Sequence, residues 1–175
     1  MRGRRSEENL KVENLKLEKG ATSVVPLFGG TVTRKSVITV SIQLICIAAL
    51  VVTGPVIPRN RATLALACAG VAVILWAVAA MGVYNVRVEP DVHEHARLVM
   101  KGPYGFVRHP MYTGGTLIAL AWVCDDFSVV RLLAALVLFA DFVVKMRYEE
   151  TLLAARFSEY PDYMRRTKRL VPFLY

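Results

Sequence analysis

The 175-residue chain is short of several things a soluble enzyme usually relies on. It has three cysteines, Cys46, Cys68 and Cys124, all in apolar runs and with no CxxC pair, so they read as buried thiols. That pattern excludes a disulfide-stapled scaffold, and no metal site is expected. No GxGxxG turn follows a strand-like run, which argues against a dinucleotide-type α/β domain. No apolar run lies near the start, so no secretory signal peptide is expected. No internal repeat is visible. Acidic residues are scarce, with 14 Asp+Glu against 22 Lys+Arg and a formal net charge of +8. A mean hydropathy of +0.43 excludes a disordered or collagen-like chain and fits a water-soluble globule poorly.

The excess lies in apolar residues, which make up 55% of the chain and fall in blocks. The 21 residues from Val37 to Ile57 and the 23 from Ala62 to Tyr84 carry no formal charge. Either run is long enough for a hydrocarbon core of about 30 Å at a rise of about 1.5 Å per residue. Both predict transmembrane scaffold helices, joined by a very short turn, Pro58-Arg59-Asn60-Arg61. The second run is rich in small residues, from Ala65 through Gly70 to Gly82, which allow helices to approach closely in lipid. Met111 to Cys124 is a shorter run, and Val129 to Val144 is apolar except for Arg131 and Asp141. Together these two predict a membrane hairpin, tilted or partly shielded by the first pair. A re-entrant pair is the alternative.

Basic residues orient the bundle. Of the 22 Lys and Arg, 19 lie in Met1 to Ser36, in the loop Asn85 to Pro110, or from Lys145 onward. Only Arg59, Arg61 and Arg131 fall on the other side. This bias places both termini and the middle loop in the cytoplasm. Topology and an anionic lipid surface account for the basic charge, so no nucleic-acid partner is expected. The expectation is therefore an all-α integral membrane protein of about four transmembrane helices. It divides into a polar cytoplasmic extension (1–36), two scaffold helices (37–84) and a region from 85 to 175 that carries the chemistry.

Two strings carry that chemistry. The first is LVMKGPYGFVRHPMYTGG, from Leu98 to Gly115. Gly102-Pro103 marks a turn, and Pro110 suits the first position of a helix while biasing His109 out of it. Arg108, His109 and Tyr112 thus gather around a helix N-terminus, where free N–H groups and the helix dipole favour anions. A snorkelling arginine with interfacial aromatics is the plainer reading of Arg108 or Tyr112 alone. The second string is KMRYEETLLAARFSEYPDYM, starting at Lys145. Lys145 and Glu149 share a helix face, while Arg147 lies on another. Taken alone, these charges read as a solvated helix end. The tail that follows resembles an amphipathic interfacial segment.

GPYGFVRHPMYTGG, followed one helical hairpin later by the Glu149-Glu150 pair and a Phe, Tyr, Tyr, Val-Pro tail, resembles the isoprenylcysteine carboxyl methyltransferase family. Phospholipid N-methyltransferases share much of this signature. The resemblance covers roughly Met81 to Pro172. It implies a membrane enzyme that uses S-adenosyl-L-methionine without a Rossmann domain and acts on a lipid-like or isoprenoid acceptor. Carried over by position, the cofactor side comprises Ala96, Arg97, Leu98, Val99, Tyr104, His109, Pro110 and Tyr112, with Glu149 and its neighbour Glu150. Lys145 stands where relatives commonly carry an arginine that meets the acceptor carboxylate. Lysine is a point charge without the bidentate fork, and Arg147 and Arg108 are the other candidate cations. The implied reaction is carboxyl O-methylation. A headgroup N-methyltransferase, an NADPH-dependent membrane reductase and a non-enzymatic membrane scaffold are the alternatives.

Overall fold

The computed structural model describes residues 34–82 and 98–171. The chain divides after Val40, and the packing below is that of Ser41–Tyr175. Among the described residues every regular element is helical: α1 (Arg34–Val52), α2 (Arg61–Met81), a 3-10 turn (Gly102–Gly105), α3 (Pro110–Asp125), α4 (Val129–Arg156) and α5 (Tyr160–Arg166). One parallel bridge, Val107 with Lys168, ties the loop before α3 to the tail.

The first apolar run does not stay helical to Ile57. Helix α1 stops at Val52 because Pro55 disfavours helical backbone at Gly54, and Pro58 repeats the obstacle. Helix α2 starts at an Asn60 cap, whose side chain accepts from Ala62 N at 2.8 Å. Of the described helices, α2 is the one long and apolar enough to cross a membrane. Only 11% of its most apolar window is buried, whereas the core helix of a soluble protein would be mostly covered. Leu44, Ile45, Leu75, Leu133 and Val144 likewise face outward.

Helices α2 and α3 meet backbone to backbone. A Cβ on Gly70 would lie 2.7 Å from Gly114 O, and one on Gly114 would lie 2.5 Å from Gly70 O. The small residues of the sequence thus serve as a helix crossing. On the other side of α3, Cys46 and Leu50 of α1 join Ala119, Val123, Leu138, Phe142 and Met146 in one apolar core, closed by Leu170 of the tail.

Polar groups fasten the end away from the GPYGFVRHP string. Arg131, placed by its charge at the far end of the bundle, is fully buried rather than set in a polar surface. Its guanidinium donates to Trp122 O at 2.8 Å, Leu50 O at 3.1 Å and Pro55 O at 3.3 Å. One cation therefore satisfies carbonyls freed where α1 and α3 end. Asp125 accepts from Arg59 N at 3.0 Å, Asn60 N at 2.8 Å and Thr63 Oγ1 at 2.6 Å, and so pins the turn into α2.

Candidate active site

The opposite end is built around the start of α3. His109 is its N-cap residue and Pro110 its first helical residue, as the sequence leads one to expect. The tail runs back alongside: Arg108 N donates to Lys168 O at 2.7 Å, His109 N to Arg169 O at 3.1 Å and Thr113 Oγ1 to Leu170 O at 2.8 Å. Tyr163 of α5 donates to Tyr104 O at 2.7 Å, which docks the 3-10 turn.

Into this frame α4 delivers two adjacent glutamates with different surroundings. Glu150 is 5% exposed and clasped by cations. Arg108 Nε donates to its Oε1 at 2.8 Å, and Arg169 Nη2 and Nε donate to its Oε2 at 2.7 and 2.9 Å. The rest of the Arg108 guanidinium donates to Met164 O and Thr167 O. Burial alone would raise the Glu150 carboxyl, but the neighbouring His109, Arg169 and Arg108 outweigh it and hold the group at about 2.

Glu149 keeps a quarter of its side chain exposed. Its Oε1 accepts from the Tyr112 hydroxyl, and its Oε2 lies 3.5 Å from His109 Nδ1. His109 bridges both acids, since its Nε2 is 3.4 Å from Glu150 Oε1. Burial opposes the imidazolium, yet the two carboxylates prevail and raise its pKa above 6.5. The Tyr112 ring packs against His109 and Phe142, tilted by 43° to each, with centroids 5.7 and 4.9 Å away.

The structure thus brings Arg108, His109, Tyr112, Glu149 and Glu150 into one constellation. Tyr104 and Pro110 are buried next to it. Lys145 lies one turn below Glu149 and is 3% exposed; its Nζ donates to Gln43 Oε1 at 2.6 Å. Arg147 points outward and joins none of these groups. Leu98 and Val99 are half-buried in the approach to the 3-10 turn, while Ala96 and Arg97 lie outside the described residues. Sequence reasoning missed two participants. Arg169 was lost in a basic tail that read as a lipid-facing segment. Gln43 did carry a signal, as the one carboxamide in an otherwise apolar run.

The phospholipid methyltransferase family matches residues 59–160, which include all five residues of the constellation. The chain belongs to the phospholipid methyltransferase family. This phospholipid methyltransferase family member is similar to protein-S-isoprenylcysteine O-methyltransferase B of Arabidopsis thaliana, with 34% identity over 88 residues. That stretch is 46% of this chain and 42% of the relative, so less than half of the relative's length is matched. The family match takes in both glutamates, Lys145 and Asp141, but ends before Arg169 and starts after Gln43. The clasp on Glu150 and the partner of Lys145 are thus completed by residues outside it.

Proposed function

We propose that the chain is an integral-membrane methyltransferase that uses S-adenosylmethionine to methylate a carboxylate on an isoprenoid or lipid-like acceptor. The observation that carries this reading is the partly open Glu149 carboxylate, held by Tyr112 and His109 at the head of α3. An adenosyl amino-acid cofactor brings hydroxyl and ammonium donors. Glu149 offers acceptor oxygens with room for them, whereas both oxygens of Glu150 are taken. His109, Tyr104, Pro110, Leu98 and Val99 would line the same end, with Ala96 and Arg97 preceding them. When bound, the cofactor supplies a sulfonium methyl: the carboxylate oxygen–carbon bond forms as the sulfur–carbon bond breaks, its electron pair stays on sulfur, and no proton is released. No strong base is therefore required of the chain, and its task is alignment and electrostatics. Lys145 would hold the anionic acceptor, while Arg108 and Glu150 position His109.

The same reading sets the topology. Four helices cross the bilayer, α3 and α4 as a hairpin, and both termini are cytoplasmic. The extension 1–36 precedes the scaffold 37–84 and the methyltransferase region 85–175. A polar cofactor then enters from the cytoplasm and an apolar acceptor from the bilayer.

Thermal melting of detergent-purified protein tests the class, because a ligand that binds only the folded state raises its apparent stability. S-adenosylhomocysteine should raise the melting temperature and NADPH should not. Glu149→Gln should melt normally yet bind S-adenosylhomocysteine about tenfold or more weakly, the loss of one charge-assisted hydrogen bond. Unchanged affinity by calorimetry removes Glu149 as a cofactor ligand.

A further inference from the structure

The Lys145 ammonium is buried, yet its one hydrogen bond among the described residues goes to a neutral group, Gln43 Oε1 at 2.6 Å. Asp141 and Glu149 stand one turn away on either side along α4, and neither forms an ion pair with it. A buried cation is ordinarily matched by an anion, because a neutral acceptor offsets only part of its desolvation. Asp141 does not fill that role, since its own Oδ2 is buried without a partner.

Gln43 reaches this spot from another helix. It is half-buried on the face of α1 that also carries Cys46 and Leu50, both in the core. Arg131 holds the carbonyls of Leu50 and Pro55 where α1 ends, so the register of α1 against the bundle is fixed at that end as well. An ammonium can only donate, so the carboxamide oxygen is the atom that faces Lys145, and the two N–H donors of the same group point elsewhere. They meet no acceptor among the described residues. Lys145 keeps two further donors of its own. The seam between α1 and α4 thus presents a full charge and a neutral donor side by side, with a carboxylate one turn away in each direction along α4.

A carboxylate carries two oxygens in one plane, and a single ammonium neutralises it without fixing that plane. A second donor beside the first does fix it. A donor that is uncharged and comes across from α1 does so while keeping the anion from sliding along α4 toward Asp141 or Glu149. We infer that Gln43 is a further acceptor-binding residue: its carboxamide accepts from Lys145 and donates an N–H to the acceptor's carboxylate, so that ammonium and amide together form a two-donor cradle. The inference rests on the carboxyl methylation proposed above, where the attacking oxygen must be aimed at the methyl carbon. Gln43 lies before the family match, so the cradle is completed by α1 rather than by the matched region.

The test uses the full chain in detergent with S-adenosylhomocysteine present. S-farnesyl-3-mercaptopropionate and its methyl ester are each titrated while the melting temperature is followed. The two share a tail, and only the acid offers an oxyanion. Wild type should bind the acid about tenfold or more tightly than the ester. Gln43→Met keeps the length and removes the amide; it should bring that ratio to within about threefold and leave the S-adenosylhomocysteine shift intact. Lys145→Arg added to Gln43→Met should restore the ratio, because a guanidinium carries two donors in one plane. A mere tie between α1 and α4 would cost stability and leave the ratio alone. A Gln43→Met ratio equal to wild type, or one that the added arginine does not raise, overturns the cradle and leaves carboxyl methylation standing. Should Gln43→Met not melt cooperatively, Gln43→Glu decides, since it keeps a partner for Lys145 without either N–H: a ratio kept by that variant overturns the cradle, and its loss supports it. A wild-type ratio near one overturns the cradle, and if no methyl ester forms from the acid with S-adenosylmethionine, the carboxyl reading falls with it.

Discussion

Glu150→Gln tests whether the cation clasp is structural. The substitution keeps the side-chain shape and removes the charge that Arg108, His109 and Arg169 share. Two routes give its size. The carboxyl is held at about 2 against an ordinary 4.5, which corresponds to about 3 kcal/mol of folded-state stabilisation at neutral pH. Breaking a buried pair by removing one partner costs about 3–5 kcal/mol, because the remaining charges stay buried. At roughly 2–4 °C per kcal/mol for a chain of this size, the melting temperature should fall by about 10 °C.

The pH dependence gives the sharper check. A carboxyl lowered on folding contributes stability that is fully present above its unfolded value and is lost as the pH falls through its folded value. The gap between wild type and Glu150→Gln should thus be open at pH 4.5 and close as the pH drops toward 2. Melting followed by tryptophan fluorescence in detergent at several pH values measures it. A variant that melts within 2 °C of wild type at neutral pH (about 1 kcal/mol or less) would refute the reasoning, as would a gap that persists at the acid end.

The remaining predictions use other parts of the bundle. Gly114→Ala places a Cβ 2.5 Å from Gly70 O. It should cost about 1–3 kcal/mol in denaturant or thermal titration, whereas Gly105→Ala, where a Cβ meets only Met100 O at 3.5 Å, should be near neutral. His109 has its pKa raised on folding, so the stability its proton confers is complete below pH 6.5 and is lost as the pH rises through the folded value. The stability advantage of wild type over His109→Asn should therefore shrink as the pH rises above 6.5, and a flat difference would contradict the bridge. Reporters fused after Glu89 and after Tyr175 should report cytoplasm and one at Asn60 should not; the reverse pattern would remove the cytoplasmic entrance for the cofactor.

Local signals were the legible ones. Pro110 after His109 marks the start of α3 without any tertiary information, and Lys145 to Glu149 spacing places those groups on one face. The small residues around Gly70 announce a close crossing, although not that Gly114 is its counterpart. Long-range polar pairings were not legible. Arg131 reads as a far-side charge because its neighbours in sequence are apolar. Its partners, Leu50 and Pro55, are backbone carbonyls some 80 positions away, and carbonyls leave no trace in a sequence. Helix α1 was read as too long because a charge-free run says nothing about where backbone hydrogen bonding stops, whereas Gly54-Pro55 does. Arg169 was hidden for the opposite reason: among four basic residues from Arg165 onward, nothing in composition marks the one that turns inward.

The adjacent glutamates invite a reading as paired acids, and the helix that carries them argues against it. Consecutive residues on an α-helix point about 100° apart, so Glu149 and Glu150 leave α4 in different directions. Glu150 meets the tail and the loop before α3, where Arg108 and Arg169 converge. Glu149 turns toward Tyr112 and the face that also bears Lys145 and Asp141. His109 lies between the two, 3.5 Å from the open acid and 3.4 Å from the locked one. The displacement at a sulfonium methyl proposed above would call for no proton shuttle between carboxylates; it would need one acceptor group held still at the edge of an apolar bundle. The Glu-Glu pair is divided: one carboxylate anchors the tail, and its neighbour stays partly open.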